Sequence, residues 1–179
     1  MAVLVCPGIH PPALTAGFLR ALAASHAQHW YVLPAAHPPY APQLVLADLR
    51  QQLGQPPERA PAVLFVGFSA GVVGALGGAR AWQRQGGRVS AAIAIDGWGV
   101  PLGSSFPEHR LSHDHLTHCS SALLGAGRDG FYSDPPVAHR ALWGQPQRAW
   151  GWWLLRPGCR VRCTAAEFLQ LLLARYGER

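Results

Sequence analysis

The sequence predicts an α/β domain built on a mostly parallel sheet. Three observations carry that expectation. Over the first hundred residues short apolar runs alternate with longer amphipathic stretches, the pattern of repeated strand–helix units. The apolar runs are continuous, as strands buried on both faces require. The chain has 179 residues, 49% of them hydrophobic and 13% charged, which suits a single domain, residues 1–179, with a real core.

Taken in order, Val3–Cys6 is a buried-type strand stopped by Pro7-Gly8, and Pro12–Ala24 is a helix with Leu14, Phe18, Leu19 and Leu22 on one stripe. Trp30–Leu33 reads as a second strand. Gln43–Leu53 repeats Leu44, Leu46, Leu49 and Leu53 at helical spacing. Ala62–Gly67 is a strong central strand, followed by a helix of small residues over Ala70–Gln85 and a strand over Ser90–Ile95 that ends at Asp96. Beyond Gly97 the period is lost. Pro101–Pro107 is a loop, His109–Ser112 a short strand, His113–Gly127 and Pro136–Trp143 helical, and Trp150–Leu155 an edge or terminal strand. Thr164 opens the final helix, with Glu167 three residues on completing a capping box.

Charge excludes more than it identifies. The net +6 comes from fifteen Arg and no Lys. Apart from Arg156, Arg160 and Arg162 the excess is spread along the chain, without the concentrated face or motif of a nucleic-acid binder. No apolar run reaches the ~18 residues of a membrane span. The opening Met1–Pro7 is too short and uncharged for a signal peptide. A soluble, cytoplasmic protein is the expectation. Four scattered cysteines fit reduced thiols, because Cys159 and Cys163 lack the second close pair of a zinc site.

The sharpest chemical signal is Gly67-Phe68-Ser69-Ala70-Gly71 between a hydrophobic strand and a helix of small residues. A nucleophile elbow needs that context. The turn strains Ser69, lifts its hydroxyl above the sheet edge, and sets the Ala70 N–H at the positive end of a helix, where an oxyanion is stabilised. Pro7-Gly8-Ile9-His10 follows the first strand, in position to supply a second backbone donor. His10 at the loop tip reads as a pocket wall.

With these motifs the first hundred residues resemble the α/β-hydrolase superfamily, in particular its small, capless esterase- and thioesterase-like members. The resemblance implies a minimal three-layer sandwich, a mostly parallel sheet with helices on both faces. It implies Ser69 as nucleophile, with Ala70 and Ile9 (or Gly8) as oxyanion donors, and no cofactor. It also implies an acid after a later strand and a histidine before the last helix, yet residues 152–163 contain no histidine.

The acid and base therefore stay open. The cluster Ser112-His113-Asp114-His115-Leu116-Thr117-His118 offers Asp114 at the family's acid position and His113 or His118 as base. His139 also preserves the order of nucleophile, acid and base. Asp96 is the second candidate acid. Asp129 stands in another acid-like pattern, Gly127-Arg128-Asp129, without a strand before it.

The same cluster raises a metal reading, His113-x-His115-x-x-His118, but Thr117 stands where the related metallohydrolase motif needs Asp. Trp143, Trp150, Trp152, Trp153, Phe131 and Tyr132 read either as core or as an apolar wall for an acyl chain. The expectation is a serine hydrolase of an ester or thioester small molecule with an apolar part. Its rival is a hydrolase-fold binding or scaffolding module without turnover.

Overall fold

The computed structural model describes residues 1–23, 29–156 and 158–177. Among these, eight strands form one sheet: β1 (Ala2–Cys6), β2 (His29–Val32), β3 (Val63–Phe68), β4 (Val89–Ile95), β5 (Glu108–Ser112), β6 (Gly130–Ser133), β7 (Trp150–Arg156) and β8 (Cys159–Thr164). Their order is β2-β1-β3-β4-β5-β6-β7-β8. The pairings from β2 through β6 are parallel, and β7 and β8 close the sheet antiparallel. The helices are α1 (Pro12–Ala21), α2 (Pro42–Leu53), α3 (Gly71–Arg84), α4 (His115–Ala122), α5 (His139–Gly144) and α6 (Ala165–Gly177).

Strand periodicity divides the core in two. Val3, Val5, Leu64, Val66, Ile93 and Ile95 belong to one cluster, together with Phe18 of α1, Trp143 of α5 and Phe168 and Leu172 of α6. Their strand neighbours Leu4, Cys6, Val63, Phe65, Ala92 and Ala94 belong to a second, with Val45 and Leu49 of α2 and Val72, Leu76 and Trp82 of α3. Successive side chains of a strand point to opposite faces, so each buried strand feeds both clusters. The central strands β1 and β3 are fully buried along their length.

The second half departs from the sequence expectation. Two strands are added: β6 is only four residues long, and β8 is an edge strand with Arg160, Val161 and Arg162 exposed. Neither needs a continuous apolar run, so neither leaves one in the sequence. Exposed charge on an edge strand also blocks pairing with further chains. The helix expected over 113–127 is α4, starting two residues later. Helix α1 ends at Ala21, and Ala24 lies outside the described residues. No helix among the described residues is long and apolar enough to cross a membrane. All four cysteines are free thiols.

The connection from β1 runs to β2 on one side, while β3 and β4 build out on the other. Such a reversal opens a crevice at the carboxyl ends of the strands, the usual ligand position in open α/β sheets. The Pro7–His10 loop and the turn after β3 both lie at this crevice.

Candidate active site

Ser69 joins β3 to α3 with φ 54°, a left-handed conformation that is uncommon for a residue with a side chain. Its N–H donates to the Ile95 carbonyl at 2.9 Å, and its own carbonyl accepts from Val72 at 3.1 Å, starting α3. The flanking glycines are required by contact. A Cβ on Gly67 would lie 2.6 Å from the Val72 Cα, and one on Gly71 would overlap the Cys6 and Pro7 carbonyls. A Cβ on Gly8 would stand 3.0 Å from the Ser69 Cβ, so the loop after β1 passes directly beside the serine. Among the described residues the backbone N–H groups of Ala70, Gly8 and Ile9 donate to no protein acceptor.

Asp96 follows β4 with φ 50°, and Ser69 and Asp96 are the two non-glycine residues with positive φ among those described. Strained backbone gathers at functional sites because the surroundings must hold it there. The Asp96 side chain is 1% exposed. Its Oδ1 accepts the His113 backbone N–H at 2.9 Å. Its Oδ2 accepts from Nδ1 of His113 at 3.0 Å and from Nδ1 of His139 at 2.8 Å. Burial pushes the Asp96 carboxyl up, but the hydrogen bonds from His113 and His139 outweigh it and hold the group below the ordinary aspartate value.

The two imidazoles differ in what remains free. His113 ends its ring on a second carboxylate, with Nε2 3.0 Å from Asp114 Oδ2. The hydrogen bond to Asp96 raises its pKa against the opposing effect of burial, helped by the charges of Asp96 and Asp114. His139, the first residue of α5, spends Nδ1 on Asp96, and no protein partner among the described residues takes its Nε2. Its ring stacks on Phe68 with centroids 4.6 Å apart, and Phe68 stacks in turn on Trp143 at 4.9 Å. Ser69, Ala70, Asp96, His113 and His139 line one pocket of about 810 Å³, with Val73, Trp98 and Leu116 as apolar walls.

The remaining sequence candidates fall elsewhere. Asp114 caps α4, accepting the Thr117 N–H at 2.6 Å, and touches His113 rather than His139. His118 is 6% exposed and lines a separate cavity beside Gly130 and Leu154. Burial, aided by the charges of His115 and Arg110, pushes its pKa down to about 4. His113, His115 and His118 do not bring their ring nitrogens together among the described residues: His113 bonds Asp96, and the His115 Nε2 lies 3.4 Å from the Cys119 Sγ. The donor atoms that do converge are those of Asp96, His113 and His139, all within 4.8 Å of one another.

Trp143, Trp150, Trp152, Trp153, Phe131 and Tyr132 do not line this pocket. Phe131 and Trp153 pack on Phe168, and Trp152 carries the Arg160 guanidinium 4.2 Å from its ring centre. The sequence reading missed Phe68 as the platform under His139. It occupies the unconstrained second position of the Gly-x-Ser-x-Gly pattern, where nothing in the sequence marks it.

No protein-family model matches the chain, and no curated protein sequence matches it.

Proposed function

We propose that the protein is a serine hydrolase of ester or thioester substrates with an apolar part, organised as a small three-layer α/β-hydrolase. The observation that carries this reading is one pocket lined by Ser69 and by a histidine whose Nδ1 is held by a buried carboxylate while its Nε2 meets no partner among the described residues. The Ser69 Oγ attacks the substrate carbonyl carbon and its proton passes to His139 Nε2. The Ala70 N–H and a donor from Gly8-Ile9 hold the resulting oxyanion. Collapse breaks the bond to the leaving group, which takes the proton from His139. Water then attacks the acyl-enzyme, gives one proton to His139, and releases the acid as Ser69 regains its hydrogen.

Asp96 is the residue that orients His139 and balances its charge when protonated. His113 is a positioning residue in this scheme. With both nitrogens on carboxylates it is unavailable as a base, and it fixes Asp96 by two hydrogen bonds.

A fluorophosphonate probe tests the reading. The wild type is expected to gain one adduct by intact mass, located at Ser69 by peptide mapping and absent from Ser69→Ala. An unlabelled wild type across pH 6–9 would favour a binding module instead.

A further inference from the structure

Ser69 stands between two clefts of different character. On the β4–β5 side is the pocket that holds His139. On the β1–β2 side is a cleft of about 440 Å³ walled by Gly8, Ala16, Leu19, Val32, Pro34 and Pro39. Gly8 lines this cleft and Ser69 lines the other, and a Cβ placed on Gly8 would stand 3.0 Å from the Ser69 Cβ. The Pro39 carbonyl packs against Gly74 in the early part of α3, so the cleft abuts the helix that follows the nucleophile.

Resting on the serine hydrolase reading, we infer that the β1–β2 cleft is the acyl-binding site and that it takes a compact, uncharged acyl group. Two arguments carry it. First, the group that protonates the leaving atom must be adjacent to it, and His139 belongs to the β4–β5 pocket. The leaving group therefore occupies that side, and the acyl chain leaves the carbonyl in the opposite direction, past the Gly8-Ile9 donors. Second, the cleft's lining fits such a group. No Asp, Glu, Lys or Arg lines it, so a charged acyl chain would give up its hydration without meeting a fixed opposite charge, the imidazoles of His10 and His37 being the ionisable groups in the wall. The hydroxyl of Thr15, one of the few polar groups in the wall, already accepts from the Trp143 indole N–H at 3.3 Å. The volume lies in the lower part of the ~300–1,000 Å³ span of small-molecule pockets.

The test compares p-nitrophenyl acetate, octanoate and monosuccinate esters on wild type and on Ala16→Trp, which fills the cleft from α1. Fluorophosphonate labelling of Ser69 serves as a separate readout of the nucleophile. The wild type is expected to turn over octanoate at least about tenfold better than the charged succinate ester, as measured by kcat/KM. Ala16→Trp is expected to lower the ratio of kcat/KM for octanoate to that for acetate at least about tenfold, with Ser69 still labelled. Ala35→Trp on the exposed rim of the same cleft provides a second variant, expected to act in the same direction. Octanoate and acetate affected alike in both variants, or octanoate unaffected in both while Ser69 still labels, would overturn the acyl assignment alone. A wild type that neither labels nor hydrolyses would overturn the reading beneath it, and the assignment with it.

Discussion

The molecule contains two aspartate–histidine pairs, and the contrast between them separates a reactive arrangement from a structural one. Asp96 and His139 meet at the carboxyl ends of the strands, in an open pocket beside Ser69. Asp129 and His109 meet near the amino ends of β5 and β6, where His109 is fully buried. Each nitrogen and carboxylate oxygen of the second pair faces a polar neighbour. His109 places Nε2 2.7 Å from the Tyr176 hydroxyl and Nδ1 3.1 Å from Asp129 Oδ2, the latter a close contact rather than an aligned hydrogen bond. Arg175 donates to the same Asp129 oxygen at 2.6 Å and the Trp153 indole N–H to the other at 3.2 Å. Burial pushes the Asp129 carboxyl up, but the His109 and Arg175 contacts outweigh it and hold it far below the ordinary value. A carboxylate beside an imidazole is thus insufficient for chemistry. What distinguishes the first pair is an unspent Nε2 in a pocket shared with a strained serine.

Substitutions at the two histidines should therefore split activity from stability. His139→Ala is expected to lower ester turnover by about 10³-fold or more while lowering the thermal midpoint less than His109→Leu does, because the side chain is 40% exposed and Asp96 keeps both hydrogen bonds from His113. A smaller midpoint loss and a lost kcat are the readings that sustain the contrast. His109→Leu should do the reverse, costing about 2–4 kcal/mol in urea unfolding because a buried carboxylate loses an imidazole neighbour. Its folded fraction should keep wild-type kcat/KM. Were the two variants to lose activity and stability in the same proportion, the distinction would collapse.

His113→Gln probes the link between the classes, since His113 faces the pocket yet serves Asp96. Turnover is expected to fall by about tenfold, in kcat rather than KM, with rates of Ser69 labelling falling in parallel. Its pH signature follows from the raised pKa. A group whose folded pKa lies above its unfolded value stabilises fully below the latter, here 6.5, and loses that contribution as pH rises through the folded value. The gap in thermal midpoint between wild type and His113→Gln should therefore be widest below pH 6.5 and narrow in alkali.

How much of this was legible in the sequence depends on which constraint acts locally. The Ser69 turn was, because Gly67 and Gly71 are forced by backbone contacts within a few residues and by β1 beside them. Strands β1, β3 and β4 were, because burial on both faces demands unbroken apolar runs. The acid and base were not. Asp96 and Asp114 each follow a strand, and the strands are neighbours, so chain order alone does not say which carboxylate turns toward His139. Asp114 did carry a local signal, an aspartate three residues before Thr117 at the start of a helix, the pattern of an N-cap. Long-range convergence of the loops after β4 and β6 decides the rest, and no spacing encodes it. Strands β6 and β8 escaped notice for a related reason, since a four-residue strand and a charged edge leave no apolar run.

The most direct test of the central claim is the rate at which a fluorophosphonate labels Ser69 at pH 7.5 in wild type, His139→Ala and His109→Leu, followed by intact mass. Labelling of Ser69 at least about 10³-fold slower in His139→Ala, with His109→Leu close to wild type, is the predicted result. Equal rates in wild type and His139→Ala, or an adduct on any residue other than Ser69, would contradict it.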